Sequence, residues 1–185
     1  WVKNVDGSDA HPLLQLGGSR ATAAAIGTYV WSPDGSMIAF TQQSDDGSSR
    51  IFVMTADGSD VRPLTDVPGL WHENDFRWSP DGTHIAFNRW QHDAATDEWL
   101  TRPIGVASIE GGSVLDAGPV PVSDGAIFDY SPDGSTIMSV AATVYDDSTT
   151  HTSEPIAIDA ATGTHRVIAW PAESVPSWQR VALEP

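Results

Sequence analysis

Nine residues that could bind a ligand gather in three short stretches rich in aromatic and charged side chains. They are Trp71, His72, Glu73, Asp75, Arg89, Trp90, His92, Trp99 and Tyr145. Adjacent aromatic rings can stack on sugars, and together with carboxylates they can bind a cationic peptide. We therefore predict that these residues form a ligand-binding site. The alternative is that Trp90 and Trp99 merely cover the apolar edge of a long hairpin.

The same stretches match no recognised catalytic or metal-binding motif. His72, Glu73, Asp75 and His92 are of types that bind metal ions, but their spacing matches no zinc motif and no EF-hand loop. The sequence contains no Gly-x-Ser-x-Gly elbow, no phosphate-cradling glycine loop that opens a helix, and no cysteine. We predict no catalytic residue, no metal and no cofactor. Paired carboxylates on opposed loops could still hydrolyse a glycoside, so an enzyme stays open as an alternative.

The net charge of the chain limits the classes of partner that it can bind. A net charge of −16 arises from 25 acidic residues against 9 basic ones. Such a surface repels nucleic acid and anionic membranes and favours cationic partners. No apolar stretch is long enough for a membrane-spanning helix, so we predict neither nucleic-acid binding nor membrane insertion. Many aspartates stand in Asp-Gly turns, and turn chemistry is the interpretation of the charge that we favour.

A five-residue motif occurs three times in the sequence and indicates which strands position the three stretches. Trp31-Ser32-Pro33-Asp34-Gly35 recurs at Trp78–Gly82 and at Tyr130–Gly134, and a fourth echo keeps only the aromatic residue, Trp178. The four aromatic residues are 47, 52 and 48 positions apart, which fits one four-stranded propeller blade per repeat. An apolar run follows each Pro-Asp-Gly turn. Continuous apolar runs are typical of a sheet that is covered on both faces.

The repeats predict an all-β fold, a partial β-propeller that occupies the whole of 1–185 as one region. It comprises three complete four-stranded antiparallel blades, an N-terminal half-blade and a C-terminal lone strand. The predicted bounds are 1–16 for the half-blade, 29–65, 75–122 and 126–170 for the blades, and 175–183 for the terminal strand. Exposed sheet edges are a liability. We expect self-association or a missing N-terminal fragment to complete the propeller.

These residues resemble the TolB-type, WD-like propeller repeat, which runs aromatic-Ser-Pro-Asp-Gly, then Ile-Ala-Phe, then a strand that ends in Asp-Gly-Ser. The resemblance covers nearly the whole chain. It implies a bacterial-like protein outside the cytoplasm, whether periplasmic, secreted or on the cell surface. The family includes propeller domains of prolyl-oligopeptidase-like peptidases and some polysaccharide lyases, so the resemblance implies a fold rather than one activity.

Blade topology sorts the loops onto two faces of the disc. The Ser-Pro-Asp-Gly and Asp-Gly turns share one face, and the loops between second and third strands share the other with the blade connections. Only the second face has long loops, which favours it as the binding face. We predict an extracytoplasmic propeller scaffold that binds a protein, peptide or glycan partner through this acidic and aromatic face. The alternative is the propeller domain of an enzyme, which would gate a prolyl-oligopeptidase-like peptidase or belong to a carbohydrate-active lyase or hydrolase.

Overall fold

The computed structural model describes residues 6, 8, 26–44, 47–65, 71–93, 95–101, 103–118, 128–144 and 151–168. Every regular element in these ranges is a β-strand, so the fold is the all-β partial propeller that the repeats predict. Nowhere in the described ranges is there a helix of the length and apolarity needed to cross a membrane. Apart from Asp6 and Ser8, the predicted half-blade at 1–16 and the terminal strand at 175–183 lie outside the described residues.

The first blade consists of four antiparallel strands, and one parallel bridge from Ser49 to His72 joins them to the second blade in a nine-stranded sheet. The four strands are β1 (Ile26–Trp31), β2 (Met37–Gln43), β3 (Ser49–Thr55) and β4 (Arg62–Pro63). Pro63 is tolerated in β4 because an outermost strand has one edge that donates no ladder hydrogen bond. Across β2 and β3, Phe40 and Phe52 lie opposite each other and their rings stack with centroids 5.8 Å apart.

The second blade carries an additional strand. Its strands are β5 (Trp71–Trp78), β6 (His84–Asp93), β7 (Glu98–Thr101), β8 (Ile104–Ser108) and β9 (Leu115–Ala117). The first half of β6 pairs with β8, whereas its last four residues pair with β7, from Trp90 opposite Thr101 to Asp93 opposite Glu98. We call residues 90–93 and 98–101 the ribbon. It extends the blade on the face of the long connections.

The third blade repeats the plan of the first with a longer central hairpin. Its strands are β10 (Asp129–Tyr130), β11 (Thr136–Val144), β12 (His151–Asp159) and β13 (His165–Val167). The hairpin of β11 and β12 contains nine opposed residue pairs. The tight turns of all three blades therefore lie on one face of the disc, and the ribbon and this hairpin extend on the other.

Apolar clusters hold neighbouring blades together. Ile51 and Val53 of the first blade pack with Phe76 and Phe87 of the second, and all four side chains are buried. A second cluster joins the second blade to the third; its buried members are Ala86, Ile104, Val106, Ala117, Phe128, Tyr130, Ile137, Ile156 and Ile158. Both clusters draw on strands with continuous apolar runs, and the second blade contributes to both clusters because it has a neighbour on each side.

The aromatic residue of each motif faces the preceding blade. Trp78 is 8% exposed, and its Nε1 donates a hydrogen bond of 3.2 Å to the carbonyl oxygen of Val30 in the first blade. Tyr130 is 5% exposed against the second blade. Trp31, the equivalent residue of the first blade, is 41% exposed. In the described part of the chain, the first blade therefore presents Trp31 to solvent on the face where the second and third blades have a neighbour.

A β-bulge in β5 decides which side chains face the first blade. The register between β5 and β6 shifts between Asn74 and Arg77, and Asp75 adopts a positive φ of 47°. The bulge reverses the alternation, so that Glu73 before it and Phe76 after it both point inward. Aspartate is among the residues that tolerate this left-handed conformation.

Candidate functional site

The tight turns use their aspartates as internal hydrogen-bond acceptors. In the second blade, Ser79 Oγ donates to Asp81 Oδ1 at 2.6 Å, and the backbone N and Oγ1 of Thr83 donate to the same atom at 3.0 and 2.8 Å. The turns around Asp34 and Asp133 repeat these bonds. The hydrogen bonds lower the pKa of each of the three carboxyl groups to about 2. These carboxylates therefore stabilise the turns in which they lie.

The Asp-Gly turns that follow third strands use a related arrangement. The backbone N of Ser59 donates to Asp57 Oδ1 at 2.9 Å, and the backbone N of Ser8 donates to Asp6 Oδ1 at the same distance. The hydrogen bond between Ser8 and Asp6 is therefore the same as the one between Ser59 and Asp57 in the first blade. Both aspartates serve turn geometry, in agreement with the interpretation of the charge.

Glu73, one of the predicted binding residues, is fully buried between the first two blades. Its Oε1 accepts a hydrogen bond of 2.7 Å from Thr65 Oγ1, and its Oε2 accepts one of 3.1 Å from the backbone N of Ile51. Burial raises the pKa of Glu73, and the two hydrogen bonds and the charges of Arg50 and Arg89 oppose that rise. The buried carboxylate therefore joins the first two blades.

Arg89 lies opposite Glu73 on the neighbouring strand and is also buried. Its guanidinium forms an ion pair with Asp116 of β9 and lies 4.9 Å from the centroid of the Trp71 ring. A cation over an aromatic face is attracted by the ring quadrupole. Trp71 is itself buried at 8% exposure, so Trp71, Glu73 and Arg89 form one internal network of the second blade.

Four of the other predicted residues, His72, Asp75, Trp90 and His92, lie nearer to solvent. Trp90 and His92 are half-buried on the ribbon, and His92 Nε2 lies 3.0 Å from Oδ1 of the exposed Asp97. Trp99 lies opposite His92 in the register of the ribbon. On β5, His72 is half-buried and Asp75 is exposed at the bulge.

Eight of the nine predicted residues therefore lie on β5, β6 and β7, and Tyr145 lies outside the described residues. The first two stretches were expected on the long loops of the second face, and this expectation was wrong, since the structure places them in strands. Their backbone groups pair in a sheet, because β6 is long enough to support both β5 and β7. Among the residues that the structure describes, no group of three or more histidine or acidic side chains could hold a metal ion.

A cleft of about 580 Å³ lies between the second and third blades on the face of the tight turns. Asp81, Asp133 and Asp159 line it together with apolar side chains that include Val106 and Leu115. None of the nine predicted residues lines this cleft. Its signal in the sequence is Tyr130, which stands where the first two copies of the motif have tryptophan.

Tyr130 lines the cleft with a buried hydroxyl. Within the described part of the chain, this hydroxyl has no hydrogen-bond partner. Burial raises the pKa of Tyr130, and the nearby charge of Asp81 raises it further. The phenol therefore stays protonated at neutral pH, and Asp81 lies within electrostatic reach of it.

Comparisons with known proteins agree with this architecture. No family model and no curated protein matches the sequence. Among solved structures, the chain is similar to a TolB-type protein from Agrobacterium tumefaciens, with 24% identity and a TM-score of 0.51 over 78% of this chain and 46% of that one. It is also similar to an oligogalacturonate lyase in complex with manganese, with 16% identity and a TM-score of 0.54 over 90% of this chain and 40% of that one.

A third similar structure is the AtxE2 isopeptidase without ligand, with 20% identity and a TM-score of 0.51 over 80% of this chain and 30% of that one. The chain spans less than half the length of each of these three proteins. Identities this low show the fold alone. The chain has a TolB-like β-propeller fold.

Proposed function

We propose that this propeller is a binding scaffold that engages a protein, peptide or glycan partner through the face of the long connections. The ribbon is the observation on which the proposal rests. Between its second and third strands the first blade needs only a short connection, from Gln43 to Ser49, whereas the second blade inserts a paired ribbon at the same place. Inserted structure on a repeated scaffold is a common location of binding residues.

The chemistry of the ribbon suits a cationic or sugar-containing partner. Trp90 and His92 are half-buried, while Asp97 and Glu98 at the ribbon end are exposed. Partly exposed aromatic rings give stacking surface, and the carboxylates give an attraction for positive charge. The net charge of −16 adds a long-range field of the same sign.

A comparison of ribbon variants tests the proposal. We expect the purified chain to bind members of a cationic peptide array or an oligosaccharide array, and Trp90→Ala to weaken that binding. Asp97→Asn combined with Glu98→Gln should weaken binding to cationic peptides in particular. Trp71 is unsuitable for this test, because it is buried beneath Arg89 and its removal would disturb packing.

Glu110→Gln provides the matched control, since Glu110 is an exposed carboxylate in a turn on the opposite face. Its binding should equal that of the wild type. Equal binding by the ribbon variants and the control, or binding to neither array, would contradict the assignment of the ribbon as the binding surface.

An enzyme remains the second candidate function. The similar structures include an isopeptidase and a lyase, and a propeller in such a protein could gate or shape an active site. Only likeness of fold supports this alternative. The ribbon favours binding, because it is an insertion that the first blade lacks.

We also propose that the protein acts outside the cytoplasm and that its exposed propeller edge pairs with a second copy. The resemblance to TolB-type repeats supports the location, which immunodetection in cell fractions would test. Trp31 and Tyr29 support the pairing, since they are 41% and 66% exposed on the edge strand β1. Native mass spectrometry should give twice the chain mass, and a single-chain mass would contradict self-association.

A further inference from the structure

The cleft between the second and third blades contains three carboxylates with oxygen atoms available to a ligand. In Asp81, Asp133 and Asp159, the turn hydrogen bonds are accepted by Oδ1. No hydrogen bond to Oδ2 of these residues occurs among the described side chains, so each carboxylate can accept another donor. His84 lines the same cleft, and its Nδ1 lies 2.8 Å from Thr83 Oγ1.

Tyr130 provides an independent indication of a ligand. At the equivalent place in the second blade, the indole N–H of Trp78 donates to the carbonyl oxygen of Val30. Tyr130 lines the cleft, and its buried hydroxyl makes no such bond in the part of the chain that is described. A buried polar group without a partner costs free energy, which a ligand that reaches it would recover.

The shape and lining of the cleft indicate the kind of ligand. Its volume of about 580 Å³ is in the range of small-molecule sites. Val106, Leu115 and Ala160 offer apolar surface beside the carboxylates. A ligand with an aliphatic stem and a cationic end would match both parts, as lysine and arginine side chains do elsewhere. The described acidic and histidine side chains do not converge closely enough to hold a metal ion.

We propose that this cleft binds an organic cation, an ammonium or guanidinium group on an aliphatic stem. Its N–H groups donate to Oδ2 of Asp81 and Asp133 and to the phenolic oxygen of Tyr130, and its stem lies against Val106 and Leu115. A lysine or arginine side chain of a peptide and a free alkyl amine share this chemistry. The site lies on the face opposite the ribbon, so it is independent of the function proposed above.

Titrations followed by NMR at low ionic strength test the proposal with three probes. They are Nα-acetyl-lysine N-methylamide, its neutral norleucine counterpart, and 1,5-diaminopentane. We expect at least one amine to bind with shifts at cleft residues and about tenfold more tightly than the norleucine compound, since it gains charge-assisted hydrogen bonds. Binding of the lysine compound alone indicates a peptide side chain, and binding of the diamine alone indicates a free amine. Equal binding of the neutral compound overturns the proposal.

The Tyr130→Phe variant distinguishes an effect on amine binding from an effect on the stability of the fold. It should lower the affinity for the amine about tenfold, the usual loss for a hydrogen bond to a charged group. Its thermal midpoint should not fall, because within the described structure the hydroxyl bonds to nothing. Wild-type affinity in Tyr130→Phe overturns the role of the phenol and with it the proposed site.

Asp81→Asn and Asp57→Asn form a matched pair of charge variants. Both aspartates accept the same type of turn hydrogen bonds, but only Asp81 lines the cleft. Asp81→Asn should weaken amine binding several-fold, and Asp57→Asn should leave it unchanged. Equal losses in both variants would mean that the amine senses net charge alone and would overturn the proposal. So would shifts of the same cleft residues that appear with CaCl₂ and not with either amine.

Discussion

Replacing Glu73 tests whether a buried carboxylate joins the first two blades. In Glu73→Ala, the Thr65 hydroxyl and the Ile51 N–H lose their acceptors in a buried place. Each unsatisfied donor costs about 1–3 kcal/mol, so the variant should lose about 2–6 kcal/mol of unfolding free energy. Glu73→Gln keeps one acceptor and turns an amide donor toward the other donor, for a loss of about 1–3 kcal/mol. Ordinary domains have only about 5–15 kcal/mol in total.

The pH dependence of the same variants tests the electrostatics. Burial raises the pKa of Glu73 above its ordinary value of 4.5. The folded protein therefore binds this proton more tightly than the unfolded chain does. The contribution of Glu73 to stability is largest below pH 4.5 and falls as the pH rises through the folded-state pKa. Glu73→Gln lacks this titration, so the advantage of the wild type over it should narrow with rising pH.

Urea unfolding followed by tryptophan fluorescence between pH 4.5 and 8 measures both effects. Asp75→Asn is the control, because Asp75 lies two residues further along β5 and is exposed at the bulge. Its stability should stay within about 0.5 kcal/mol of the wild type. The reasoning is refuted if Glu73→Ala is no less stable than Asp75→Asn. A difference between wild type and Glu73→Gln that does not vary with pH would refute the assigned pKa direction.

Three further predictions concern packing and turns. Trp78→Phe removes the hydrogen bond to Val30 and part of a buried ring, and urea unfolding should show a loss of about 1–3 kcal/mol. Gly163→Ala should cost about 2–5 kcal/mol, since its Cβ would lie 2.6 Å from the Asp116 carbonyl oxygen at a φ of 72°; Gly35→Ala, with the same φ and open space, should cost about 1–2 kcal/mol. The turn carboxylates with a pKa of about 2 stabilise the fold above pH 4, and circular dichroism should show that this stability is lost as the pH falls toward 2. Unchanged thermal midpoints from pH 4 to 2 would contradict that role.

The blades could be predicted from the sequence because their signals are local. A Ser-Pro-Asp-Gly turn forms its hydrogen bonds within six residues, from Ser32 to Met37 in the first copy. The apolar run after each turn supplies a strand that needs cover on both faces. Because the residues that form such a turn are close together in the sequence, each copy of the motif predicts its own turn.

The candidate site was harder to predict, because burial depends on distant partners. Glu73 meets Ile51, which is 22 residues earlier in the chain, and Arg89 meets Asp116 across the blade. As isolated residue types they are typical of a ligand site. Their roles became visible only when the strands were placed side by side. The bulge at Asp75 adds to the difficulty, since strict alternation along β5 would have turned Phe76 away from the core.

The ribbon and Tyr130 are two features in which one blade differs from the others. Residues that recur in all three blades, such as the turn aspartates, have a structural role in every copy. The ribbon occurs in the second blade, and a tyrosine replaces the motif tryptophan in the third. The ribbon adds surface that the first blade lacks, and within the described residues Tyr130 does not make the side-chain hydrogen bond that Trp78 makes. Because both depart from the plan of the first blade, they are the places at which the two proposed binding sites are best tested.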